Sequence, residues 1–185
     1  VTNGTKARFR GRCVTSIAGG TQGFYDFLHD NPEIEFHPCS LTHGLDTLAE
    51  IEGLCAINSA LQADLAGNVN AEIVDGRVIS APGGFPDFAR GATAAPGGVS
   101  IVALRASGEG GARSNIVSGL AQGAPVTASS EHIDYVVTEH GVARLRGLGL
   151  EERRQAMLGV AAPECRRDLR RGAGPPPPAT VGAEE

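Results

Sequence analysis

Residues 80–92 have the sequence SAPGGFPDFARGA, in which a glycine turn joins a strand-like apolar run to a helix-like one. Glycines such as Gly83 and Gly84 allow positive φ angles and a close approach of the backbone to a ligand, and the amides at a helix start attract an anion. A plain turn at a strand end has the same pattern. The stretch therefore indicates either such a turn or a cradle for a phosphate, a thioester carbonyl or a carboxylate.

Strand and helix patterns alternate on both sides of this turn. Asp75-Gly76 predicts a two-residue hairpin between residues 69–74 and 77–80. After the turn, residues 85–95 predict a helix and residues 99–104 a buried strand. The alternation predicts an α/β fold.

The same patterns continue through the rest of the chain. Further strands are predicted at residues 13–18, 33–38, 53–61, 124–128 and 132–138, and further helices at 21–31, 41–52, 150–160 and 163–171. Thr21 is the predicted N-cap of its helix, whose aromatic residues Phe24, Tyr25 and Phe27 are expected in the core. The continuous apolar run at 53–61 predicts a strand buried on both faces.

A polar cluster, Thr138-Glu139-His140, directly follows the predicted strand at 132–138. Open α/β sheets bind ligands at the carboxyl ends of their strands. The cluster is therefore a second candidate for a site, although His140 is more typical of packing than of catalysis.

The composition and charge of the chain argue against a nucleic-acid partner and a membrane partner. The chain has 185 residues, 41% of them hydrophobic, and a formal net charge of −5, which argues against nucleic acid as a partner. It has no apolar run of roughly 20 residues and no signal peptide, so we expect a cytoplasmic protein without a membrane partner. Because the sequence begins at Val1 without Met, we also expect a piece of a longer protein.

Neither the cysteines nor the histidines are spaced as metal ligands. The four cysteines form no C-x-x-C pair and are expected to be buried free thiols in a reducing compartment. No metal site and no permanently bound cofactor are predicted.

Several short motifs together resemble one family. They are Tyr25-Asp26-Phe27-Leu28 with Asn31-Pro32; Phe36-His37-Pro38; Ala56-Ile57-Asn58-Ser59-Ala60-Leu61 with Asp64-Leu65 and Gly67; Gly83-Gly84 with Asp87-Phe88 and Arg90-Gly91-Ala92; Gly97-Gly98; and Tyr135-Val136-Val137-Thr138-Glu139 with Gly141-Val142-Ala143 and Leu145-Arg146-Gly147. In their order and spacing, over residues 12–170, they resemble the C-terminal domain of the acetyl-CoA hydrolase/transferase family of CoA-transferases.

The resemblance implies an α/β fold with an open CoA-transferase-like (NagB/RpiA-like) sheet and flanking helices. Residues 1–171 would be a single C-terminal domain, the second half of a two-domain enzyme, and residues 172–185 a disordered proline-rich tail. It also implies a short acyl-CoA such as acetyl-CoA as substrate, with coenzyme A bound as substrate, and a carboxylate or water as acceptor. A glutamate attacks the thioester, and a glutamyl-CoA thioester follows. The motif of that nucleophile is absent from this chain, so we expect it in a preceding part, and a homodimer of the full-length protein.

The resemblance assigns roles to residues of this chain. Gly84 and Glu139 are the candidate catalytic residues: the glycine loop faces the reacting carbonyl, and Glu139 orients the substrate or tunes the nucleophile. The candidate substrate- and CoA-binding residues are Gly83, Gly84, Phe85, Arg90 and Asn58. Two plainer interpretations stay open, since Glu139 could instead cap a following helix and Asn58 could satisfy backbone groups at a strand end.

The sequence departs from the family pattern beside the glycines. Phe85 and Pro86 follow the pair, where Pro86 removes an amide donor and Phe85 adds bulk. Ser130 and Asn115 stand where arginines are common, which weakens contacts to CoA phosphates or a carboxylate. These departures favour the alternative of a catalytically inactive CoA-binding or assembly module. A third possibility is an acyl-carrier transferase subunit of a decarboxylase or lyase complex.

Overall fold

A computed structural model describes Gly4 and residues 8–108 and 113–172, and its fold is mixed α/β. The strands are β1 (Cys13–Thr15), β2 (Ile34–Phe36), β3 (Cys55–Ser59), β4 (Gln62–Asp64), β5 (Val69–Asn70), β6 (Ile73–Val74), β7 (Arg77–Val78), β8 (Val99–Ala103), β9 (Ile116–Val117), β10 (Tyr135–Thr138) and β11 (Gly141–Arg144). The helices are α1 (Gln22–Leu28), α2 (Cys39–Thr42), α3 (Leu45–Ala49), α4 (Phe85–Ala94), α5 (Leu150–Val160) and α6 (Arg166–Arg170). Short 3₁₀ turns lie at Ser130–His132 and Pro163–Cys165.

The chain divides into two compact units, Val1–Ala56 with Asp87–Val99, and Ile57–Pro86 with Ser100–Glu185. In the first unit, β1 and β2 pair in parallel. α1 begins where predicted, because the Thr21 side chain accepts a 3.3 Å hydrogen bond from the Phe24 amide. Gly91 on α4 leaves room for Leu48 of α3, since a Cβ at Gly91 would collide with the Leu48 side chain.

Two expectations for the first unit are wrong. The aromatic residues of α1 are not core residues, because Phe24, Tyr25 and Phe27 are all exposed. The helix predicted at 41–52 is divided into α2 and α3, because Gly44 has an extended backbone that ends one helix before the other starts.

The second unit contains a four-stranded sheet in the order β11-β10-β8-β3. β10 runs parallel to β8 and antiparallel to β11, and α5 packs against β10 and β11. The sheet face against which α5 packs is tightly buried. Its core includes Val102, Val136 and Ala143 from the sheet and Met157 and Leu158 from α5. α5 has the bounds that the sequence predicts.

The remaining strands of this unit form two small sheets. One has the order β5-β4-β9, and the other is the β6–β7 hairpin. Asp75 and Gly76 both have positive φ angles, 52° and 72°, as a tight hairpin turn requires, so the predicted hairpin is confirmed.

Other strand predictions need correction. β3 is not buried on both faces, since Ile57 is 66% exposed. Residues 124–128 form only an isolated bridge, between Ala128 and Val69. The sequence does not predict β4, β9 and β11, which are only three, two and four residues long. The expectation of buried cysteines is wrong for Cys39 and Cys55, which are exposed.

Two expectations fall wholly or partly outside the described residues. Three glycines in the sequence predict a flexible loop at residues 108–113, and the structure describes only its two ends. All of the predicted tail except Gly172 lies outside the described residues. Among the described helices, none is long and apolar enough to cross a membrane.

Candidate functional site

The glycine loop lies between the β6–β7 hairpin and α4. Its approach is fixed by the backbone carbonyl of Glu72, which accepts hydrogen bonds from the amides of Ile79 at 2.7 Å and Ser80 at 3.2 Å. Gly83 has a φ of +57°, a left-handed conformation that favours glycine, and no heavy atom would meet a Cβ there. The loop is thus an exposed turn with a firmly held entrance.

The residues after the glycine pair lead into the helix. The amide of Phe85 donates to the Pro82 carbonyl at 3.3 Å, which closes the turn. The Phe85 side chain is buried, so its ring lies in the packed interior and not on the surface of the loop. Arg90 lies on the same helix and is exposed. Asp87 in the first turn of α4 adds a negative charge that opposes binding of a further anion at this helix start.

Glu139 lies in the turn between β10 and β11, at the carboxyl end of β10. Its Oε2 accepts a 2.8 Å hydrogen bond from the backbone amide of Ala106, which follows the parallel strand β8. The next element is a strand, so the alternative that Glu139 caps a following helix is wrong. Its side chain is about half-exposed.

The surroundings of Glu139 favour its charged form. The hydrogen bond from the Ala106 amide is the main cause that lowers the pKa of Glu139, and its own backbone amide adds to this effect. His140 and Arg105 contribute smaller electrostatic effects, with His140 Nε2 4.0 Å from Glu139 Oε1. A carboxylate held in this way accepts hydrogen bonds and repels a second negative charge, and is poorly suited to donate a proton near neutrality.

A buried hydroxyl fixes the turn that carries Glu139. Thr138 Oγ1 donates to the Val160 carbonyl at 2.7 Å, at the end of α5, and accepts from the His140 amide at 3.1 Å. At the base of the hairpin, Asp134 accepts from the Ser100 amide and from Arg146. The carboxylate therefore projects from a turn that is attached on both sides.

Asn58, on β3, has an unsatisfied donor. Its side-chain Nδ2 is buried and has no hydrogen-bond partner among the described residues. A buried donor without a partner costs about 1–3 kcal/mol, so such a group usually meets a ligand, a water or another chain. The alternative that this amide satisfies backbone groups at the strand end is therefore not supported by its Nδ2.

The contacts of Glu139 and the contacts that hold the glycine loop involve different residues. Glu139 lies with Ala106, Arg105 and His140, whereas the hydrogen bonds that hold the approach to the glycine loop go to Glu72. Sequence reasoning missed Ala106 as the partner of Glu139. Its position just after a strand parallel to β10 is the signal that could have found it.

Asn115 and Ser130, which stand where the family commonly has arginines, both make hydrogen bonds within the fold. Asn115 Nδ2 donates to the Arg105 carbonyl at 3.0 Å, and the Ser130 carbonyl accepts from Arg153 at 2.8 Å. Arg113 pairs with Asp75 at the tip of the β6–β7 hairpin. These contacts explain how the loops are held without the arginines.

Metal-binding clusters and cavities among the described residues do not add to the set of predicted site residues. In the described ranges no group of three or more His, Cys, Asp or Glu side chains could hold a metal ion. An open cavity of about 340 Å³ lies in the first unit, between residues that include Thr15, His43 and Phe88. None of the six predicted site residues lines it.

Comparisons with known proteins agree with one another. Residues 20–173 match the acetyl-CoA hydrolase/transferase C-terminal domain. The chain is 36% identical to the 4-hydroxybutyrate coenzyme A transferase of Clostridium kluyveri and 35% identical to the succinyl-CoA:cyclohexane-1-carboxylate CoA transferase of Geobacter metallireducens, in each case over 91% of this chain and 39% of the relative. The chain therefore spans about two fifths of the length of these relatives.

Solved structures give the same result for the fold. RipA from Yersinia pestis superposes with a TM-score of 0.83 and 35% identity, over 94% of this chain and 38% of that one. The 4-hydroxybutyrate CoA-transferase of Porphyromonas gingivalis superposes with a TM-score of 0.75 and 34% identity, over 90% of this chain and 38% of that one. The predicted open CoA-transferase-like α/β fold class is confirmed.

Proposed function

We propose, because this chain belongs to the acetyl-CoA hydrolase/transferase family, that it forms the C-terminal part of a CoA-transferase that acts on short acyl-CoA such as acetyl-CoA. The full protein transfers CoA from an acyl-CoA to a carboxylate through a glutamyl-CoA thioester. The nucleophilic glutamate comes from a polypeptide segment that precedes Val1. The observation that carries the proposal is the fixed, ionised Glu139 at the carboxyl ends of two parallel strands.

The proposed reaction forms the glutamyl-CoA thioester in two steps. The nucleophilic carboxylate attacks the thioester carbonyl and releases the CoA thiolate, which leaves an acyl-glutamyl anhydride. The thiolate then attacks the glutamyl carbonyl and releases the acyl group as a carboxylate. An acceptor carboxylate then attacks the glutamyl-CoA thioester and releases the CoA thiolate, which gives a new acyl-glutamyl anhydride. The thiolate attacks the acyl carbonyl of this anhydride, which releases the new acyl-CoA and restores the glutamate. Water at the same intermediate would give hydrolysis.

Glu139 would tune the nucleophile in this scheme. Its negative charge, held by the Ala106 amide, raises the pKa and therefore the basicity of a second carboxylate placed beside it. The half-exposed side chain leaves one carboxylate oxygen for substrate contacts.

Gly83 and Gly84 would form the binding loop for the thioester carbonyl. The exposed left-handed backbone at Gly83, without a side chain, supports a close approach of substrate to the main chain. Asn58 would add its unsatisfied Nδ2 as a donor to the substrate. Phe85 would act through the packing of its buried ring, which holds the loop, and Arg90 through its exposed charge.

The names of the relatives support transfer of CoA to a carboxylate, and not hydrolysis, as the first reaction to test. Three of them are a 4-hydroxybutyrate coenzyme A transferase, a succinyl-CoA:cyclohexane-1-carboxylate CoA transferase and a butyryl-CoA:acetate CoA-transferase. We also propose acetate metabolism, because one relative is a butyryl-CoA:acetate CoA-transferase. A cytoplasmic location and a homodimer of the full-length protein are proposed from the sequence alone.

An inactive CoA-binding module is the second candidate. Phe85 and Ser130 favour it, because both depart from the family pattern, Phe85 directly after the glycine pair and Ser130 where an arginine is common. This module would bind CoA and would catalyse no exchange.

The test combines this chain with the polypeptide encoded directly upstream of Val1. We expect the combined protein to exchange labelled acetate into acetyl-CoA, and we expect Glu139→Gln to reduce kcat at least about tenfold through loss of the charge. CoA binding in calorimetry without exchange would instead identify the inactive module. An upstream reading frame without a nucleophilic glutamate motif would contradict the proposal.

A further inference from the structure

A buried hydroxyl from a distant segment holds the residues that join β5 to the β6–β7 hairpin. Thr127 lies 55 residues after Glu72 in the chain and is 6% exposed. Its Oγ1 donates a 2.7 Å hydrogen bond to Glu72 Oε1 and accepts a 2.9 Å hydrogen bond from the Ala71 amide. A hydrogen bond to a carboxylate is stronger than one between neutral groups. One side chain therefore holds two successive residues just after β5.

The main chain at Thr127 is itself anchored to β5. The Thr127 amide donates to the Val69 carbonyl at 2.8 Å, and the Val69 amide donates to the Ala128 carbonyl at 3.0 Å. Val69 and Ala128 are both buried. Thr127 is thus a fixed point in this unit, and its hydroxyl determines where the Glu72 side chain lies.

Asn70 holds the same turn by local contacts. Its side chain is fully buried, and its Oδ1 accepts hydrogen bonds from the amides of Glu72 at 3.0 Å and Ile73 at 3.1 Å. An Asn side chain that bonds the backbone two residues further on sets the conformation of a turn. Asn70 therefore determines the shape of the turn, whereas Thr127 connects the turn to a distant part of the chain.

Glu72 connects this anchor to the glycine loop. While its carboxylate is held by Thr127, its backbone carbonyl accepts the hydrogen bonds from the amides of Ile79 and Ser80. Residues 75–83 are exposed, so packing contributes little to the position of this segment. The position of the loop entrance therefore depends on Glu72.

We propose that Thr127 is a positioning residue for the reaction, which holds the backbone of Gly83 and Gly84 in place through Glu72. This inference rests on the proposed function, which assigns the glycine loop to the thioester carbonyl. A displacement of about 1 Å in a group that stabilises the developing charge lowers the rate strongly, while the rest of the acyl-CoA is bound as before. The effect of Thr127 belongs in kcat and not in KM.

The first readout is independent of activity. It is amide hydrogen exchange at Ile79 and Ser80, in the chain combined with the polypeptide encoded upstream of Val1. We expect Thr127→Val to accelerate exchange at these two amides at least about fivefold, and more than at the amides of β10. Thr127→Ser keeps the hydroxyl and should restore most of the protection.

The second readout is the exchange of labelled acetate into acetyl-CoA. We expect Thr127→Val to lower kcat at least about tenfold and to change KM for acetyl-CoA less than about twofold. Glu72→Ala keeps the backbone carbonyl and removes the carboxylate. It should lower kcat in the wild type and much less in Thr127→Val, because both changes break the same hydrogen bond.

Thr47→Val is the matched control for both readouts. Thr47 is 7% exposed, and its hydroxyl accepts a 3.3 Å hydrogen bond from Arg8 in the first unit. The change removes a buried threonine hydroxyl that has no contact with Glu72. We expect the control to keep the wild-type kcat and the wild-type hydrogen exchange at Ile79 and Ser80.

Four results would overturn the proposal. Unchanged hydrogen exchange at Ile79 and Ser80 in Thr127→Val would mean that the hydroxyl does not hold the loop entrance. Equal acceleration in the loop and in β10 would mean that it contributes to global stability alone. A raised KM with an unchanged kcat would assign it to substrate binding, and independent losses in the double variant would mean that it does not act through Glu72. An inactive wild type would refute the proposed function, and hydrogen exchange would still decide whether Thr127 holds the loop.

Discussion

The Glu139 carboxylate accepts a 2.8 Å hydrogen bond from the backbone amide of Ala106, 33 residues earlier in the chain. This bond joins the turn after β10 to the segment after the parallel strand β8. It also fixes one carboxylate oxygen and favours the charged form. The candidate site is therefore built on a contact between two strand ends.

The first prediction concerns the titration of Glu139. Its pKa is lower in the folded chain, mainly because of the Ala106 amide, so the ionised group stabilises the fold above the unfolded pKa, and this stabilisation is lost as the pH falls through the folded pKa. We expect the wild type to lose more stability than Glu139→Gln between pH 7 and about pH 3. Urea unfolding at both pH values measures this, and an equal loss in both proteins would refute the assignment.

The second prediction concerns Thr138. Thr138→Val removes the hydroxyl that donates to the Val160 carbonyl and accepts from the His140 amide, and leaves both groups without this partner. We expect a loss of about 1–3 kcal/mol in the free energy of unfolding. Thr138→Ser keeps the hydroxyl and should retain most of the stability. A larger loss in Thr138→Ser than in Thr138→Val would show that the methyl group, and not the hydroxyl, matters.

The third prediction concerns the glycine loop. Gly83→Ala puts a side chain on a left-handed backbone, for which we expect a loss of about 1 kcal/mol by thermal or urea unfolding. Gly119→Ala is the control, because Gly119 has no positive φ and no atom near its added Cβ. A loss at Gly119 as large as at Gly83 would argue against backbone strain as the cause.

The fourth prediction concerns the ion pair at the base of the hairpin. The Asp134 side chain is 4% exposed and binds Arg146 through two contacts, at 2.5 and 2.7 Å. Arg146→Ala leaves a buried carboxylate, and we expect a loss of about 2–4 kcal/mol, moderated by the half-exposed guanidinium.

Arg167→Ala serves as the control for this pair. Arg167 pairs with Asp168 on the surface, and both side chains are mostly exposed. The control should lose less than about 1 kcal/mol. Comparable losses in Arg146→Ala and Arg167→Ala would mean that the Asp134 pair is not a stabilising contact.

Local features of this fold could be predicted from the sequence. The turn at Asp75-Gly76 and the N-cap at Thr21 depend on residues within a few positions of each other, and the structure has both. α5 has the predicted bounds because its helical pattern is uninterrupted. Predictions of this kind need no knowledge of packing.

Features that depend on distant contacts could not be predicted. Phe24 and Ile57 are exposed although both are large and apolar, because burial depends on which elements pack on them. β11 was missed because a short strand with glycine at its start is defined by its pairing with β10. In the candidate site, the sequence located Glu139 at a strand end, but Ala106 has no chemical signature and is recognised only from the sheet topology.

The most direct test of the proposed function locates the covalent intermediate. The chain, combined with the polypeptide encoded upstream of Val1, is incubated with acetyl-CoA, the thioester is trapped with borohydride, and peptides are mapped by mass spectrometry. We predict modification of one glutamate of the upstream polypeptide and none of this chain, with Glu139 unmodified. Modification of Glu139, or of any other residue of this chain, would contradict the account.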